Sequence, residues 1–431
     1  MANALLMASQ RFLARKRRCR LPAFWNRQFS TSHLRSATHE INEPIEEELF
    51  PSNRLRCFHP THPGEILNGR FKTISKLGFG ACSTVWLAEN LKFKKQKESL
   101  IPRFVSIKIA TLDSNASWEA SLSKMINAQR PHDGLDFIRT PIDEFHAVSS
   151  IQARDRRTSN DPTANENPPD IKGENIMITF ENDTLLADYA NYQTSVPQWR
   201  HIRSEDGRVT YFSQDEFGPL EGNNLLPQLA DFNACFPGLV VGRGHLFPIQ
   251  SDRYRAPEVL LGCGWSYSAD IWNFGLLMWN LLEDINLFGG SAGEGGEYDA
   301  HVRLSWMVSL LGEPPEEVIQ RERFSRTHHL ERPVMNLCGK ECKTMNQYWG
   351  GPFFDDEGQI LRKDLLREGM KLADTVTELA GDEKEMFLDF ASGMLQWLPE
   401  KRKTAKELLE HPLLEEIHKS YLEDQSGSIE S

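Results

Sequence analysis

The sequence predicts an α+β protein of two lobes, with a small antiparallel β layer first and a larger, mainly helical body after it. Residues 71–110 set β-branched and aromatic residues around glycine and lysine turns, whereas from Glu258 onward the apolar residues recur at helical spacing. Strands gathered ahead of helices are the pattern of segregated α+β layers. The 431 residues, 39% hydrophobic and 26% charged, suit one large domain of two lobes or two ordinary domains.

The first forty residues stand apart. Residues 1–40 carry eight Arg or Lys against one acid, Glu40, while the rest of the chain has a net charge of −19. The Arg-rich, Ser/Thr-bearing, acid-poor leader has the composition of a mitochondrial transit peptide; a disordered basic arm or a nuclear signal at Arg15–Arg20 is the competing reading. The acidic body argues against general nucleic-acid binding and for basic partners. The apolar run Ile271–Leu282 is too short to span a membrane and is broken by Asn273 and Asn280. Seven cysteines without CxxC pairs fit free thiols in a reducing compartment.

From Phe71, FKTISKLGFGACSTVWLAENL predicts two strands about a glycine turn, and RFVSIKIA predicts a third strand carrying Lys108. Residues 117–128 predict a short amphipathic helix, and 138–148 a strand interrupted at Pro141. Residues 149–169 have one strong apolar residue, Ile151, and read as an irregular junction. ENIMITF predicts a strand, 181–224 a long polar insertion, and LLPQLADFNACF a strand ending in an acidic turn. Helices are expected at 258–284, 301–312 and 383–414, followed by a tail at 417–431.

Chemistry enters with Gly78-Phe-Gly80-Ala-Cys-Ser83-Thr-Val85. Two glycines let a hairpin backbone approach phosphates, and Val85 could roof an aromatic base. Lys108 alone reads as a surface lysine; beside the glycine turn it is a cation for phosphates, which Glu119 on the next helix would orient. In DIKGEN, Asp170 offers a proton acceptor, Lys172 a phosphate-facing cation and Asn175 an oxygen ligand for Mg2+, with Asp231 as a second. Each alone is an ordinary turn residue, and it is their order along the chain that is specific.

These motifs, together with Ala256-Pro-Glu258, Asp270-x-Trp-x-x-Gly275 and Arg402, resemble a eukaryotic protein kinase, and most of all the fungal branch of the SR-protein kinase family. The resemblance runs from about Pro63 to Leu414. It implies a small lobe at 63–148, a large lobe at 170–416 bearing the insertion 181–224, and transfer of the ATP γ-phosphate to Ser or Thr of basic, Arg/Ser-rich proteins. It also implies ATP and Mg2+ as cofactors, a monomer, an ion pair between Glu258 and Arg402, a structural role for Asp270, and a cytoplasmic or nuclear setting as the alternative to the mitochondrial one.

The sequence departs from the family in three places. Pro168-Pro169 stand where the family has His-x before the catalytic aspartate, and Asn233 replaces the glycine after Asp231-Phe232. Asp170 follows Glu119 by only 51 positions, too few for the hinge and two helices expected there. A pseudokinase acting as a binding or scaffold module, or an incomplete reading of the gene, therefore stands beside the active enzyme. Between Phe232 and Arg255 the only hydroxyl residues are Ser251 and Tyr254, and Pro169 rather than an Arg stands directly before Asp170, so loop phosphorylation is not expected as the switch.

Overall fold

The computed structural model describes residues 39–94, 101–114, 116–128, 133–146, 171–180, 183–217, 226–232, 244–289, 298–336 and 338–415. Residues 1–38 of the leader, the junction 149–169, Asp170, Asn233 and the tail lie outside the described residues. The described residues form two compact units: one from 39–146 with 177–230, the other from 171–176 with 231–415.

The first unit is built on a four-stranded antiparallel sheet of β1 (Ile66–Leu67), β2 (Phe71–Gly80), β3 (Ser83–Asn90) and β4 (Phe104–Ala110), paired in sequence order. Alternation sorts the side chains by face. Phe71, Trp86, Ala88, Ile107 and Ile109 form one cluster, while Ile74 and Leu87 form another. Helix α1 (Ala116–Ala128) follows β4, as expected. Among the described residues the strand expected over 138–148 is not formed: Asp133–Phe137 is a 3-10 turn, and only Ile138 bridges to a neighbour, Leu229. Pro141 has no N–H to give a ladder, and Phe145 instead stacks on Phe71 at 5.6 Å.

After the short strand β5 (Ile176–Ile178), the polar insertion has structure that its composition hides. It contains α2 (Asp183–Ser195) and a hairpin of β6 (Arg200–Ile202) and β7 (Val209–Tyr211), and β8 (Pro227–Leu229) follows it. The insertion groups with the β sheet rather than with the helices. Tyr189 and Ala190 of α2 cover Ile74 and Leu87, the Gln198 amide donates to the Ile74 carbonyl at 3.1 Å, and Tyr211 meets Trp86 edge-on. Few apolar residues are needed for this, which is why no periodicity announced it.

The second unit is helical: α3 (Ser268–Leu282), α4 (Ala300–Leu311), α5 (Glu316–Thr327) and α6 (Gly381–Ser392), with short turns between them. Helix α3 is apolar nearly all round and runs through the core, with Trp272 and Trp279 fully buried. A Cβ on Gly275 would lie 2.9 Å from Leu395 Cδ2 and 3.2 Å from Met394 Cβ, so any side chain there would require Leu395 to shift. Helix α5 lacks a strong apolar stripe and was not anticipated; its Glu322 is buried, paired to Arg326 at 2.6 Å and accepting from the Asn346 amide and the Phe353 N–H. Among the described residues no helix is long and apolar enough to cross a membrane.

Candidate active site

In the first unit the pairing registers place the expected nucleotide residues in a row. Gly78 pairs with Val85, and Val85 with Lys108, so the three sit at one level across β2, β3 and β4 on one face. Gly80 pairs with Ser83, leaving Ala81-Cys82 as a two-residue connection. A Cβ on Gly78 or Gly80 would meet no protein atom within 4 Å, and neither needs a left-handed backbone. Their smallness is therefore not demanded by packing, and it keeps the backbone open to approach from outside. The Lys108 ammonium lies 3.2 Å from the Glu119 carboxylate on α1, the pair that the sequence spacing anticipates. Both are partly exposed, so the contact holds the lysine in place more than it stabilises the unit.

In the second unit Lys172 leads into a 3-10 turn, Gly173–Asn175, closed by the Asn175 N–H donating to the Lys172 carbonyl at 3.0 Å. Ile171 and Ile176 pack on the helical core from either side of that turn, and Asn175 is itself buried. Asp231 is exposed and takes a left-handed backbone, φ +66°, beside the buried Phe232. An aspartate tolerates that conformation better than most side chains. Asp170 lies outside the described residues. No cluster of three or more His, Cys, Asp or Glu forms a metal site among the described residues. The donor set at hand, one amide oxygen and one exposed carboxylate, fits a hard cation that draws its other oxygens from phosphates and water.

Glu258 and Arg402 meet as expected, with two contacts of 2.7 Å. Asp270 lies in the first turn of α3, where an acid complements the helix N-terminus. Tyr254, one of two hydroxyl residues in its segment, is buried with its OH donating to Asn280 Oδ1, which leaves it poorly placed for modification.

The sequence reading passed over residues 41–62, which bear directly on the glycine turn. Lys76, two residues before Gly78, is fully buried against Glu46 at 2.6 Å and against Glu47, and donates to the Tyr211 carbonyl at 3.1 Å. Burial holds the Glu46 carboxyl above its usual range; Lys76 and the Ser213 N–H oppose that rise, and Glu47 adds to it. Arg54 donates to the Ala81 carbonyl through Nε at 3.2 Å and Nη2 at 2.7 Å. Burial raises the Cys82 thiol, against the pull of Arg54. The acidic run Glu46–Glu48 was the one visible signal, and such a run ordinarily marks a solvated surface.

Residues 245–414, all in the helical unit, match the protein kinase domain family. Over these residues the chain has the protein-kinase fold. A serine/threonine protein kinase of Aspergillus fumigatus is 28% identical over 86% of this chain and 91% of its own length. The serine/threonine-protein kinase SKY1 of Saccharomyces cerevisiae is 30% identical over 56% of this chain and 30% of its own. A crystal structure of a kinase domain aligns over 83% of this chain and 99% of its own, at 16% identity and a TM-score of 0.47. The matched segment holds Glu258, Asp270 and Arg402, whereas the Gly78–Val85–Lys108 row lies outside it.

Proposed function

We propose that the chain is a serine/threonine protein kinase that transfers the terminal phosphoryl group of ATP to a Ser or Thr hydroxyl, with basic, Arg/Ser-rich proteins as its substrate class. The observation that carries the reading is the Gly78–Val85–Lys108 row with Glu119 seated on Lys108 at 3.2 Å. Open glycine backbone, an apolar roof and an oriented ammonium in one row are what a nucleotide with its phosphates requires.

In this scheme Lys108 neutralises the α- and β-phosphate oxygens, and Glu119 fixes the lysine's rotamer. Lys172 faces the γ-phosphate. Asp170 accepts the proton of the substrate hydroxyl as its oxygen bonds to phosphorus and the bond to the ADP oxygen breaks. Asn175 and Asp231 would hold Mg2+, which supplies charge neutralisation on the phosphates when bound. The chain's work is thus positioning and electrostatic stabilisation, not covalent chemistry. A net charge of −19 beyond the leader supports attraction of Arg-rich substrates.

Pro168-Pro169, which stand where the family has His-x, favour a second reading, a nucleotide-binding module without turnover. One experiment separates the two. The full chain is incubated with Mg-ATP and an Arg-Ser peptide, beside an Asp170→Asn variant. Phosphate incorporation by the chain and its loss in the variant support the kinase; equal signals in both remove Asp170 from the mechanism. A thermal shift with Mg-ATP but no incorporation supports the binding module.

A further inference from the structure

The segment preceding the sheet is built as a brace for the glycine turn. Lys76 anchors the stem of that turn to Glu46 and Glu47, with Ser213 closing on Glu46 through its N–H at 2.6 Å and its hydroxyl at 3.0 Å. Phe50 stacks on Phe58 and meets Phe79, the residue between the two glycines, edge-on at 6.4 Å. Arg54 then reaches the tip itself, with two donors on the Ala81 carbonyl and Nη2 3.3 Å from Cys82 Sγ. Its other contact is long, 3.9 Å to Asp113, so the carbonyl is its chief partner among the described contacts.

We infer that Arg54 is a positioning residue for phosphate binding: it sets the orientation of the Ala81–Cys82 peptide at the tip of the turn, and so the shape of the phosphate cradle. The inference rests on the nucleotide-binding reading of that turn. Its physical basis is the glycine content of the loop. Glycine loses more backbone freedom on ordering than any other residue, so a two-residue connection beside Gly80 pays heavily to hold one shape. A charge-assisted pair of bonds to one carbonyl meets that cost before any ligand arrives, and because a peptide is planar, fixing the carbonyl fixes the whole unit. A lysine could supply the charge but not the fork.

The test uses the full chain, with Arg54→Lys and Arg54→Met variants, and measures binding of Mg-ATP and of adenosine by calorimetry. Adenosine lacks phosphates and reports on the rest of the nucleotide site and on folding. The expected result is Mg-ATP binding weakened about tenfold in both variants, the loss typical of a hydrogen bond to a charged group, with adenosine affinity unchanged. If both variants bind Mg-ATP as the parent does, the positioning role is overturned and the nucleotide site stands. Retained Mg-ATP affinity in Arg54→Lys alone would reduce Arg54 to a simple charge and overturn the orienting role. Parallel losses of adenosine and Mg-ATP would make Arg54 a general structural residue, which also overturns it. A parent chain that binds no Mg-ATP overturns the nucleotide reading and this inference with it.

Discussion

Arg402 and Glu258 face each other through two parallel contacts, Nη1 to Oε1 and Nη2 to Oε2, each 2.7 Å, with both side chains withdrawn from water. Arg402 spends its remaining donors on the Ser268 carbonyl at 2.8 Å and the Gln396 carbonyl at 3.1 Å, and its guanidinium lies over the Trp272 ring at 5.1 Å. One side chain thereby ties the start of α3 to the loop after α6 and to the Ala256-Pro-Glu258 turn.

Truncating one partner leaves the other charge buried and unpaired. Arg402→Ala is expected to destabilise the helical unit by about 3–5 kcal/mol. Urea denaturation followed by tryptophan fluorescence measures it, since Trp272 and Trp279 sit in that core. A loss under about 1 kcal/mol would refute the pair's structural role.

The Glu46 carboxyl, raised by burial above its ordinary 4.5, gives a pH signature of known sign. Well below pH 4.5 it is protonated in the folded and unfolded chain alike. Between that value and the raised folded one the unfolded chain has lost the proton and the folded chain has kept it, so stability falls as pH rises. Glu46→Gln removes this dependence. The stability of the variant relative to the parent should grow on going from pH 4.5 toward neutrality; a difference that shrinks would contradict the assignment.

Lys108 and Glu119 are expected to matter for ligand and little for folding. Lys108→Met should abolish the thermal shift produced by saturating Mg-ATP, while changing the ligand-free stability by about 1 kcal/mol or less, the usual worth of a partly exposed ion pair. Glu119→Gln should weaken the shift without abolishing it. An undiminished shift in Lys108→Met would place the nucleotide elsewhere.

Burial pushes the Cys263 thiol up to about 12, and Cys342 is also buried, whereas Cys338 is exposed. With limiting iodoacetamide on the native chain at about pH 8, Cys338 should be alkylated well before either of the others, because only an accessible thiolate reacts. Mass mapping of the peptides decides it; early modification of Cys263 would mean the helical core opens readily.

Much of this was legible beforehand, for reasons that differ from element to element. The β2–β3 hairpin and the lysine strand were readable because β-branched and aromatic residues flank Gly78 and Gly80, and a period of two then fixes which residues share a face. Helix α3 announced itself by its apolar density. The expected strand at 138–148 failed because one apolar stretch cannot make a strand without a neighbour to pair with, and among its described residues only Ile138 found one. Helix α5 and the insertion's α2 were missed because their amphipathic signal is weak and their partners lie far off in sequence.

What the sequence determined by itself was local or carried by spacing: the glycine turn, Lys108 on the strand that follows, and the helical body; the pairing of Glu258 with Arg402 was implied by the family resemblance. Tertiary structure decided the rest. That Lys76 would be buried between Glu46 and Glu47, that Arg54 would hold the Ala81 carbonyl, and that α2 would cover Ile74 and Leu87 follow from no periodicity. Backbone sterics and side-chain period act over a few residues and leave a readable pattern. A contact such as Ser213 on Glu46, 167 residues apart, exists only once the chain has closed and desolvation has selected which charges meet.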